Sequence, residues 1–425
     1  MKIQRTIPPA AAPISARALL RGMTGFFQDT TLRSEREQEF KAYFGVRHVF
    51  LVSSGKAAFV LILNALASLA PDKRKVLIPA YTCYSVPSAI VKAGLEISLC
   101  DVDQETYDFD NRLLPQAISS DTLCVVTDNL FGIPADMERI RELCAQKGVF
   151  LVEDAAQAMG GTCKGKMLGT IGDVGFFSLG RGKNITCSSG GIIVTNDDRI
   201  GAALQQHYGG IETPGLIETI SAFLQAICLA LFLHPSLYWF PSGLPFLKLG
   251  ETVFDPHFPV KRLSGMQAGL LLDWQHRLEE SNRVRTANGC HLRQQLGWEL
   301  GNGSSIPFLR LPVMVRDSAT RNSLRVLSQQ HGLGIGPLYP AAVADIPEIA
   351  ALFDHEAFPA ARAIAAGLLT VPTHQLLTEQ DRERIVALLK QTLSGHCRTM
   401  AQPLSAQGPA VPAREQNWHQ QDHYV

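Results

Sequence analysis

The chain has 425 residues, enough for two domains with a large core. Its 39 lysine and arginine residues balance 39 aspartate and glutamate residues, so no basic excess predicts nucleic-acid binding. Apolar residues make up 46% of the chain and charged residues 18%, a composition typical of a globular protein.

The nine cysteines are scattered, and none forms a CxxC pair. An odd number without paired spacing argues against a disulfide framework or a metal site, and for a reducing compartment. The first twenty residues lack the continuous apolar core of a signal peptide. We therefore expect a cytoplasmic protein.

Apolar runs that end in turns alternate with helical segments over about residues 45–200. The sequence predicts strands in "RHVFLVSSG", "KVLIPAYT", "LEISLCDVD", "TLCVVTDNLFG" and "VFLVEDAAQ". It predicts helices in "KAAFVLILNALASLA", "SVPSAIVKAG" and "DMERIRELCAQKG". This alternation predicts βαβ units and a mostly parallel sheet with helices on both faces.

The pattern changes near residue 262, which predicts a smaller α+β domain over residues 262–395. A single long helix is predicted in "MQAGLLLDWQHRLEESNRVRTANGCHLRQQL", followed by a strand in "FLRLPVMVRD" and a closing helix in "DRERIVALLKQTL". We expect an N-terminal arm and helix at residues 1–44 and the large α/β domain at 45–214. The tail at 396–425 is rich in Pro, Gln and Ala and is predicted to be disordered.

An apolar insertion is predicted at residues 215–261. Between Leu216 and Leu233 its only charge is Glu218, so a helix here is apolar around most of its circumference. Its clean apolar part would span only ~22 Å, too short for a bilayer core of ~30 Å. Two alternatives remain: packing against a partner subunit or the large domain, or a peripheral membrane contact through 215–250 with Tyr238 and Trp239 at the interface.

Lys183 lies between two predicted strands in "GFFSLGRGKNITCSSGGIIVTND", among glycines and hydroxyl side chains. Asp154 ends a predicted parallel strand, where ligand crevices open in α/β sheets. Gly55 opens a predicted helix, whose free amides favour a phosphate, and Ser178 lies shortly before the lysine.

Each of these residues alone also fits an ordinary role, such as a solvated lysine, a helix-capping acid or a small-residue turn. Together they suit pyridoxal phosphate (PLP). This cofactor needs a lysine for a covalent bond, an acid beside its ring nitrogen, and donors for its phosphate.

The order and wording of the motifs resemble the DegT/DnrJ/StrS-type sugar aminotransferases over about residues 35–390. The motifs that carry the resemblance are "SSGKAA", "IPAYTCYSVPSAI", "DNLFGIPADMERI", "VEDAAQAMGG", "GDVGFFSLGRGKNITCSSGGIIVTND", "RLSGMQAGLL" and "PTHQLLTEQD". The resemblance implies an α/β class with the type I fold of PLP-dependent transferases, PLP as cofactor and a homodimer. It also implies small-molecule substrates, an amino donor and a keto-sugar, with glutamate as the expected donor.

By this resemblance, Lys183 is the lysine that binds PLP covalently, and Asp154 is the partner of its ring nitrogen. Gln157 corresponds to the donor to the ring 3-hydroxyl. The cradle for the phosphate corresponds to Ser178, Gly55 and the amide of Lys56.

Many members have an aromatic residue that stacks on the PLP ring where this chain has Cys83, so Tyr84 or Tyr81 is expected to supply that face. Val260 stands where members have an asparagine that reaches the neighbouring subunit, and Lys261 or Arg262 could replace that contact.

Two further residues fit more than one role. His374 corresponds to a site-lining residue, but a satisfied histidine at a strand end is an equal alternative. Cys187 would serve a sulfur-transfer reaction only on a mobile loop, and its sequence leads straight into a predicted strand.

The sequence therefore predicts a PLP-dependent aminotransferase. It would move an amino group from an amino acid to a nucleotide- or lipid-linked keto-sugar in cell-surface polysaccharide or glycolipid synthesis. Two alternatives stay open: another type I PLP reaction such as that of the sugar dehydratases, which have histidine in place of Lys183, or a PLP-binding regulator without turnover.

Overall fold

The structure is a computed structural model that describes residues 3–244, 247, 249–250, 252–298 and 306–393. The tail that was predicted to be disordered, residues 396–425, lies outside the described residues. Within the described part, no helix has both the length and the apolar character needed to cross a membrane.

The described helices run along the whole chain. They are α1 (Ala16–Thr24), α2 (Asp29–Phe44), α3 (Gly55–Leu69), α4 (Ser85–Lys92), α5 (Leu114–Ala117), α6 (Met137–Lys147), α7 (Asp198–Gly209), α8 (Leu216–Phe232), α9 (Trp239–Ser242), α10 (Gly265–Leu270), α11 (Trp274–Gln295), α12 (Ser318–His331), α13 (Pro359–Gly367) and α14 (Glu379–Leu393).

The described strands form one large and two small sheets. They are β1 (His48–Val52), β2 (Lys75–Pro79), β3 (Glu96–Cys100), β4 (Thr122–Asp128), β5 (Phe150–Asp154), β6 (Thr162–Cys163), β7 (Lys166–Met167), β8 (Val174–Ser178), β9 (Gly191–Thr195), β10 (Arg310–Met314) and β11 (Leu368–Pro372).

The large sheet has seven strands in the order β1-β9-β8-β5-β4-β2-β3. Only β9 runs antiparallel to its neighbours, so the predicted mostly parallel sheet is confirmed. The other six strands therefore end at the same edge of the sheet, where their carboxyl ends and the turns that follow them meet. This edge holds the residues that the sequence singled out.

Helices cover both faces of the sheet. Successive side chains along each strand point to opposite faces and pack against these helices. Phe176 stacks on Phe59 of α3 on one face, with the ring centres 5.2 Å apart. The next residue, Phe177, stacks on Phe44 of α2 on the other face, at 4.6 Å. The two layers of helices hold the sheet edge rigid from both sides.

The long helix predicted after residue 262 was wrong, because the structure has two helices there, α10 and α11. Asp273 adopts a left-handed conformation with φ 53° and breaks the helix axis. Aspartate accepts this conformation more readily than most residues. The break lets both Leu271 and Trp274 become buried, a demand of packing that helical periodicity does not reveal.

The N-terminal arm is held against the C-terminal part of the chain. Arg5 forms a two-pronged ion pair with Asp381, with a shortest N–O distance of 2.6 Å. The backbone oxygen of Ala11 accepts a hydrogen bond from the buried guanidinium of Arg285 at 2.8 Å. The arm thereby passes beside the Lys183 loop, where a Cβ on Gly182 would lie 3.1 Å from the Cβ of Ala10.

Candidate active site

Two buried carboxylates lie side by side at the carboxyl edge of the large sheet. Asp154 ends β5, and Asp128 ends the neighbouring strand β4 directly opposite it. The side chain of Asp154 accepts a hydrogen bond from the amide of Ala156 at 2.9 Å. The side chain of Asp128 accepts one from the hydroxyl of Thr82 at 2.8 Å. Both aspartates are more than nine-tenths buried.

Burial raises the pKa of Asp154 to about 6. It also raises the pKa of Asp128 well above its ordinary value, and the negative charge of Asp154 adds to this effect. The charge of Lys183 acts in the opposite direction and lowers the pKa of both carboxyls. The lysine is therefore close enough to interact electrostatically with the pair, as opposite charges across a desolvated cleft do.

Lys183 is presented by the loop between β8 and β9. The loop is fixed by the hydroxyl of Thr186, which donates to the backbone oxygen of Leu179 at 2.9 Å. The neighbouring Asn184 is buried, and its amide donates to Asn282 at 3.0 Å. Gly182 has a left-handed φ of 72°, which a residue with a side chain rarely adopts. The half-buried lysine side chain thus projects from a rigid frame with small neighbours.

The amino-terminal end of α3 meets the end of β8 at the same edge. Ser54 caps the helix, since its hydroxyl accepts the amide of Ala57 at 3.1 Å. A Cβ on Gly55 would lie 3.1 Å from the Cβ of Ser178, so a larger residue here would press against Ser178. Helix amides and a serine hydroxyl converge there, and this donor set suits a phosphate.

The side chain of Lys56 does not point along this cradle. Its Nζ lies 4.2 Å above the ring centre of Phe258 and 3.9 Å from a carboxylate oxygen of Asp255. Burial lowers the pKa of this lysine. Only the backbone amide of Lys56 therefore stays in position at the start of the helix.

Gln157 links the strand edge to a tyrosine that sequence analysis missed. Its side-chain oxygen accepts the amide of Phe131 at 3.2 Å, and its side-chain nitrogen donates to the hydroxyl of Tyr339 at 3.0 Å. An amide nitrogen has two hydrogens, so one remains for a ligand. Tyr339 comes from a distant loop, so no local pattern in the sequence connects it with Gln157.

Tyr81 and Tyr84 occupy different positions. The rings of Tyr81 and Tyr339 lie 5.5 Å apart, tilted by 51°. The hydroxyl of Tyr84 donates to the backbone oxygen of Ala341 at 3.3 Å, and burial raises its pKa to about 12. The thiol of Cys83, at the position where many family members have the stacking residue, donates to the hydroxyl of Ser85 at 3.2 Å.

Asp128 was also missed, although the signal that singled out Asp154 applies to it equally. Both are acids at the end of a predicted parallel strand. His374 was considered as a site-lining residue, but it is fully buried, and its Nε2 donates to the backbone oxygen of Pro8 at 2.8 Å. Burial lowers its pKa to about 3. It holds the N-terminal arm as a neutral histidine.

Cys187 is fully buried, and burial raises its pKa to about 12, so it is no mobile nucleophile. Lys261 and Arg262 are both engaged within their own chain. Lys261 pairs with Glu218 at 2.7 Å, and Arg262 donates to the backbone oxygen of Tyr208 at 3.1 Å.

The sequence of residues 23–214 matches the model of the DegT/DnrJ/EryC1/StrS aminotransferase family. The chain is 27% identical over 371 residues to the GDP-perosamine synthase of Caulobacter vibrioides, which covers 84% of this chain and 89% of that protein. It is 36% identical over 161 residues to the GDP-perosamine synthase of Escherichia coli O157:H7, which covers 38% of this chain and 44% of that protein.

The fold is similar to that of Helicobacter pylori PseC, an aminotransferase involved in the biosynthesis of pseudoaminic acid. The TM-score is 0.74, and the match covers 92% of this chain and 99% of the PseC chain at 13% sequence identity. At this identity the likeness concerns the fold, and it confirms the predicted type I architecture.

Proposed function

Because the chain belongs to the DegT/DnrJ/EryC1/StrS aminotransferase family, we propose that it moves an amino group from an amino acid, with glutamate as donor, to a keto-sugar. The sugar is carried by a nucleotide or a lipid, and the product serves cell-surface polysaccharide or glycolipid synthesis. The chain is an aminotransferase and its cofactor is PLP. The observation that carries the proposal is the buried Asp154 facing the charge of Lys183 at the carboxyl edge of the sheet.

The residues at this edge fit PLP. When bound, PLP supplies an aldehyde that holds an amino group reversibly and a ring that accepts an electron pair. Burial leaves the negative charge of Asp154 unfavourable, and a cationic ring nitrogen would stabilise that charge. The glycine cradle at Gly55, open only because a Cβ is lacking, would hold the phosphate with Ser178 and the amides that begin α3.

Each residue then has one task. Lys183 would hold the aldehyde, and when its amine is free it could accept and return a proton at the donor's α carbon. A free lysine is mostly protonated at pH 7 and is then a poor nucleophile. If Lys183 is already bound to the aldehyde, the amine of the donor can replace it by exchange. Gln157, with its remaining amide hydrogen, would donate to the ring hydroxyl. Asp154 would stabilise a protonated ring nitrogen.

The covalent bond and the amino transfer can be tested on the purified protein with PLP. We expect borohydride to fix the cofactor on Lys183, seen by peptide mass, and glutamate to yield one 2-oxoglutarate per site before any sugar is added. A dehydratase would give a sugar product that has lost a hydroxyl group and gained no nitrogen, which mass spectrometry distinguishes from an amino sugar. A regulator would bind PLP but not respond to glutamate. An adduct on any lysine other than Lys183 contradicts the proposal.

The surface of α8 supports a homodimer. One side of α8 packs on α1 and α10, with Phe223 at the edge of Phe26. Its other side leaves Leu216, Ile217 and Leu224 more than half exposed. Large apolar patches of this kind mark interaction surfaces.

We commit to a second copy of this chain as the occupant. Helices that lie on membranes carry lysines and arginines on their polar face, whereas the only charged residue of α8 is Glu218, already paired with Lys261. An uncharged apolar helix face is instead typical of homodimer interfaces.

Sedimentation of wild type and an Ile217→Glu, Leu224→Glu variant tests the homodimer. We expect a dimer for wild type, a monomer for the variant, and a dimer for Leu352→Glu, which alters an exposed leucine elsewhere. Flotation with vesicles of zwitterionic and anionic lipid tests the membrane alternative. If the wild type is a monomer and floats with the vesicles, and if flotation depends on Leu224, the membrane contact replaces the homodimer.

A further inference from the structure

Asp128 is a second acid beside Asp154, and the proposed chemistry gives it no task. The two aspartates are direct partners in the parallel pairing of β4 and β5. Neighbouring strands lie about 4.8 Å apart, and paired residues of parallel strands direct their side chains to the same face of the sheet. Both aspartates are more than nine-tenths buried. Two carboxyl groups are therefore enclosed side by side at the edge of the sheet.

The preceding pair of residues, Thr127 and Glu153, points to the opposite face of the sheet. There Glu153 accepts several backbone amides of the segment before β8. The hydroxyl of Thr127 donates to the buried Asp108 at 3.1 Å. The acids of that face thus have donors of their own, and these donors are not shared with Asp128 and Asp154.

Each carboxyl group of the pair has one oxygen that accepts a hydrogen bond from the protein. The hydroxyl of Thr82 donates to Oδ2 of Asp128 at 2.8 Å. The amide of Ala156 donates to Oδ1 of Asp154 at 2.9 Å. Within the part of the chain that the structure describes, Oδ1 of Asp128 and Oδ2 of Asp154 accept no hydrogen bond. One proton between the two carboxyl groups would satisfy both of these oxygens.

The charged groups around the pair favour such a proton. Burial raises the pKa of Asp128 well above its ordinary value, and the charges of Asp154 and Asp108 raise it further. The charge of Lys183 lowers the pKa of both members of the pair, and Tyr339, whose own pKa is raised by burial, interacts electrostatically with both. Two negative charges on adjacent strands repel each other strongly in a desolvated cleft. At neutral pH one carboxyl group therefore keeps its proton, and Asp128 is the one that does.

We propose that Asp128 is a positioning residue, which in its protonated form donates a hydrogen bond to Asp154 and keeps that carboxylate ionised for the ring nitrogen of PLP. Thr82, Asp128, Asp154 and Ala156 then form one hydrogen-bonded chain along the sheet edge. A hydrogen bond to the charged form of an acid favours that form. It offsets the cost of burying the charge of Asp154, which a cationic ring nitrogen needs as its partner. This inference rests on the proposed function, because it concerns the same cofactor.

The proton affinity of the ring nitrogen tests this role without turnover. Borohydride first fixes PLP on Lys183. The fixed cofactor is a 3-hydroxypyridine, whose absorption changes when the ring nitrogen loses its proton, so a spectral pH titration gives the pKa of that nitrogen. Asp128→Asn supplies an uncharged amide donor at the same position, and we expect the ring nitrogen to keep the pKa that it has in wild type.

Asp128→Val removes the donor but suits a buried strand. We expect it to lower the proton affinity of the ring nitrogen about 10-fold, the order of a lost hydrogen bond to a charged group. If this variant does not fold, Asp128→Ala replaces it with the same expected loss. Asp173→Asn is the matched control, because Asp173 lies at the opposite edge of the sheet, where it accepts the amide of Leu151 at 2.7 Å.

Two results would overturn the proposal. If Asp128→Asn lowers the proton affinity as much as Asp128→Val, Asp128 acts through a negative charge and not as a donor. If Asp128→Val titrates like wild type, Asp128 has no influence on the ring nitrogen.

Failure of this role and failure of the proposed function give different results. Asp154→Asn should lower the proton affinity of the ring nitrogen more than any Asp128 variant, because it removes the charge itself. If it does so while Asp128→Val has no effect, only the role of Asp128 is wrong. If borohydride fixes no cofactor on Lys183 of the wild type, the aminotransferase proposal itself fails.

Discussion

The sheet edge beside Lys183 and the apolar insertion at residues 215–261 are built in opposite ways. The sheet edge holds Asp128, Asp154 and Ser178 at the ends of hydrogen-bonded strands, so their positions follow from strand register. Among its described residues, the insertion that carries α8 has no strand, and the backbone hydrogen bond between Thr6 and Pro235 ties it to the arm. The first region holds its side chains by strand pairing, whereas the second is held by side-chain packing, one backbone hydrogen bond and the ion pair between Glu218 and Lys261.

If this contrast holds, substitutions at the sheet edge should have the largest effects on activity. Replacement of Lys183 by alanine should lower the rate of 2-oxoglutarate formation from glutamate by ~10³-fold or more, because the covalent anchor and the proton carrier are lost together. Lys147→Ala, at the exposed end of α6, should keep the wild-type rate. A Lys183→Ala enzyme with near-normal turnover would move the chemistry to another residue.

The second prediction concerns the free energy of unfolding of the protein without cofactor. Asp154 has a raised pKa in the folded state, to about 6, so its contribution to stability is complete below about pH 4 and is lost as the pH rises through 6. Asp154→Asn should therefore be more stable than wild type at pH 7.5 by roughly 3 kcal/mol, with the difference vanishing near pH 4.

Chemical denaturation of both proteins at several pH values measures this difference. His374, whose pKa is lowered to about 3, acts in the opposite direction, since its contribution is lost as the pH falls below about 6.5. It is present in both proteins and cancels in the comparison. Asp72→Asn, at an exposed site, serves as control. If the difference in the free energy of unfolding does not depend on pH, burial does not raise the pKa of Asp154.

The third prediction tests the tightness of the cradle. Gly55→Ala places a Cβ 3.1 Å from the Cβ of Ser178, in a strand that cannot shift easily, and should weaken PLP binding about 10-fold, one lost phosphate contact. Gly209→Ala is the matched control, because a Cβ there meets nothing within 4 Å. Fluorescence titration with PLP gives both affinities. Equal PLP affinities of Gly55→Ala and Gly209→Ala would mean that the phosphate binds elsewhere.

The contrast between the regions also explains what the sequence could predict. The alternation of apolar strands and helices predicted the large sheet, and the end of a predicted strand singled out Asp154. Ser178 was singled out by its place shortly before Lys183, and Gln157 only by the family resemblance. Residues from distant segments were not predictable in this way. Tyr339 reaches Gln157 through tertiary packing, and Asp273 breaks a helix that periodicity makes continuous. Asp128 is different, because the strand-end argument applied to it and was not used.

The smallest expected effect concerns the contact between Phe26 and Phe223 of the insertion. It measures how strongly packing holds the insertion in place. Phe26 follows α1 and Phe223 lies on α8, with ring centres 5.8 Å apart and planes at 89°. Such edge-to-face pairs contribute about 1 kcal/mol beyond their burial. A double-mutant cycle of Phe26→Ala and Phe223→Ala, followed by denaturant unfolding, should give a coupling energy of that size. The pair Phe26→Ala and Val326→Ala, far apart in the chain and with Val326 exposed, should give none. A coupling near zero for the phenylalanines would mean that α8 is held by its other contacts, the packing on α10 and the ion pair between Glu218 and Lys261.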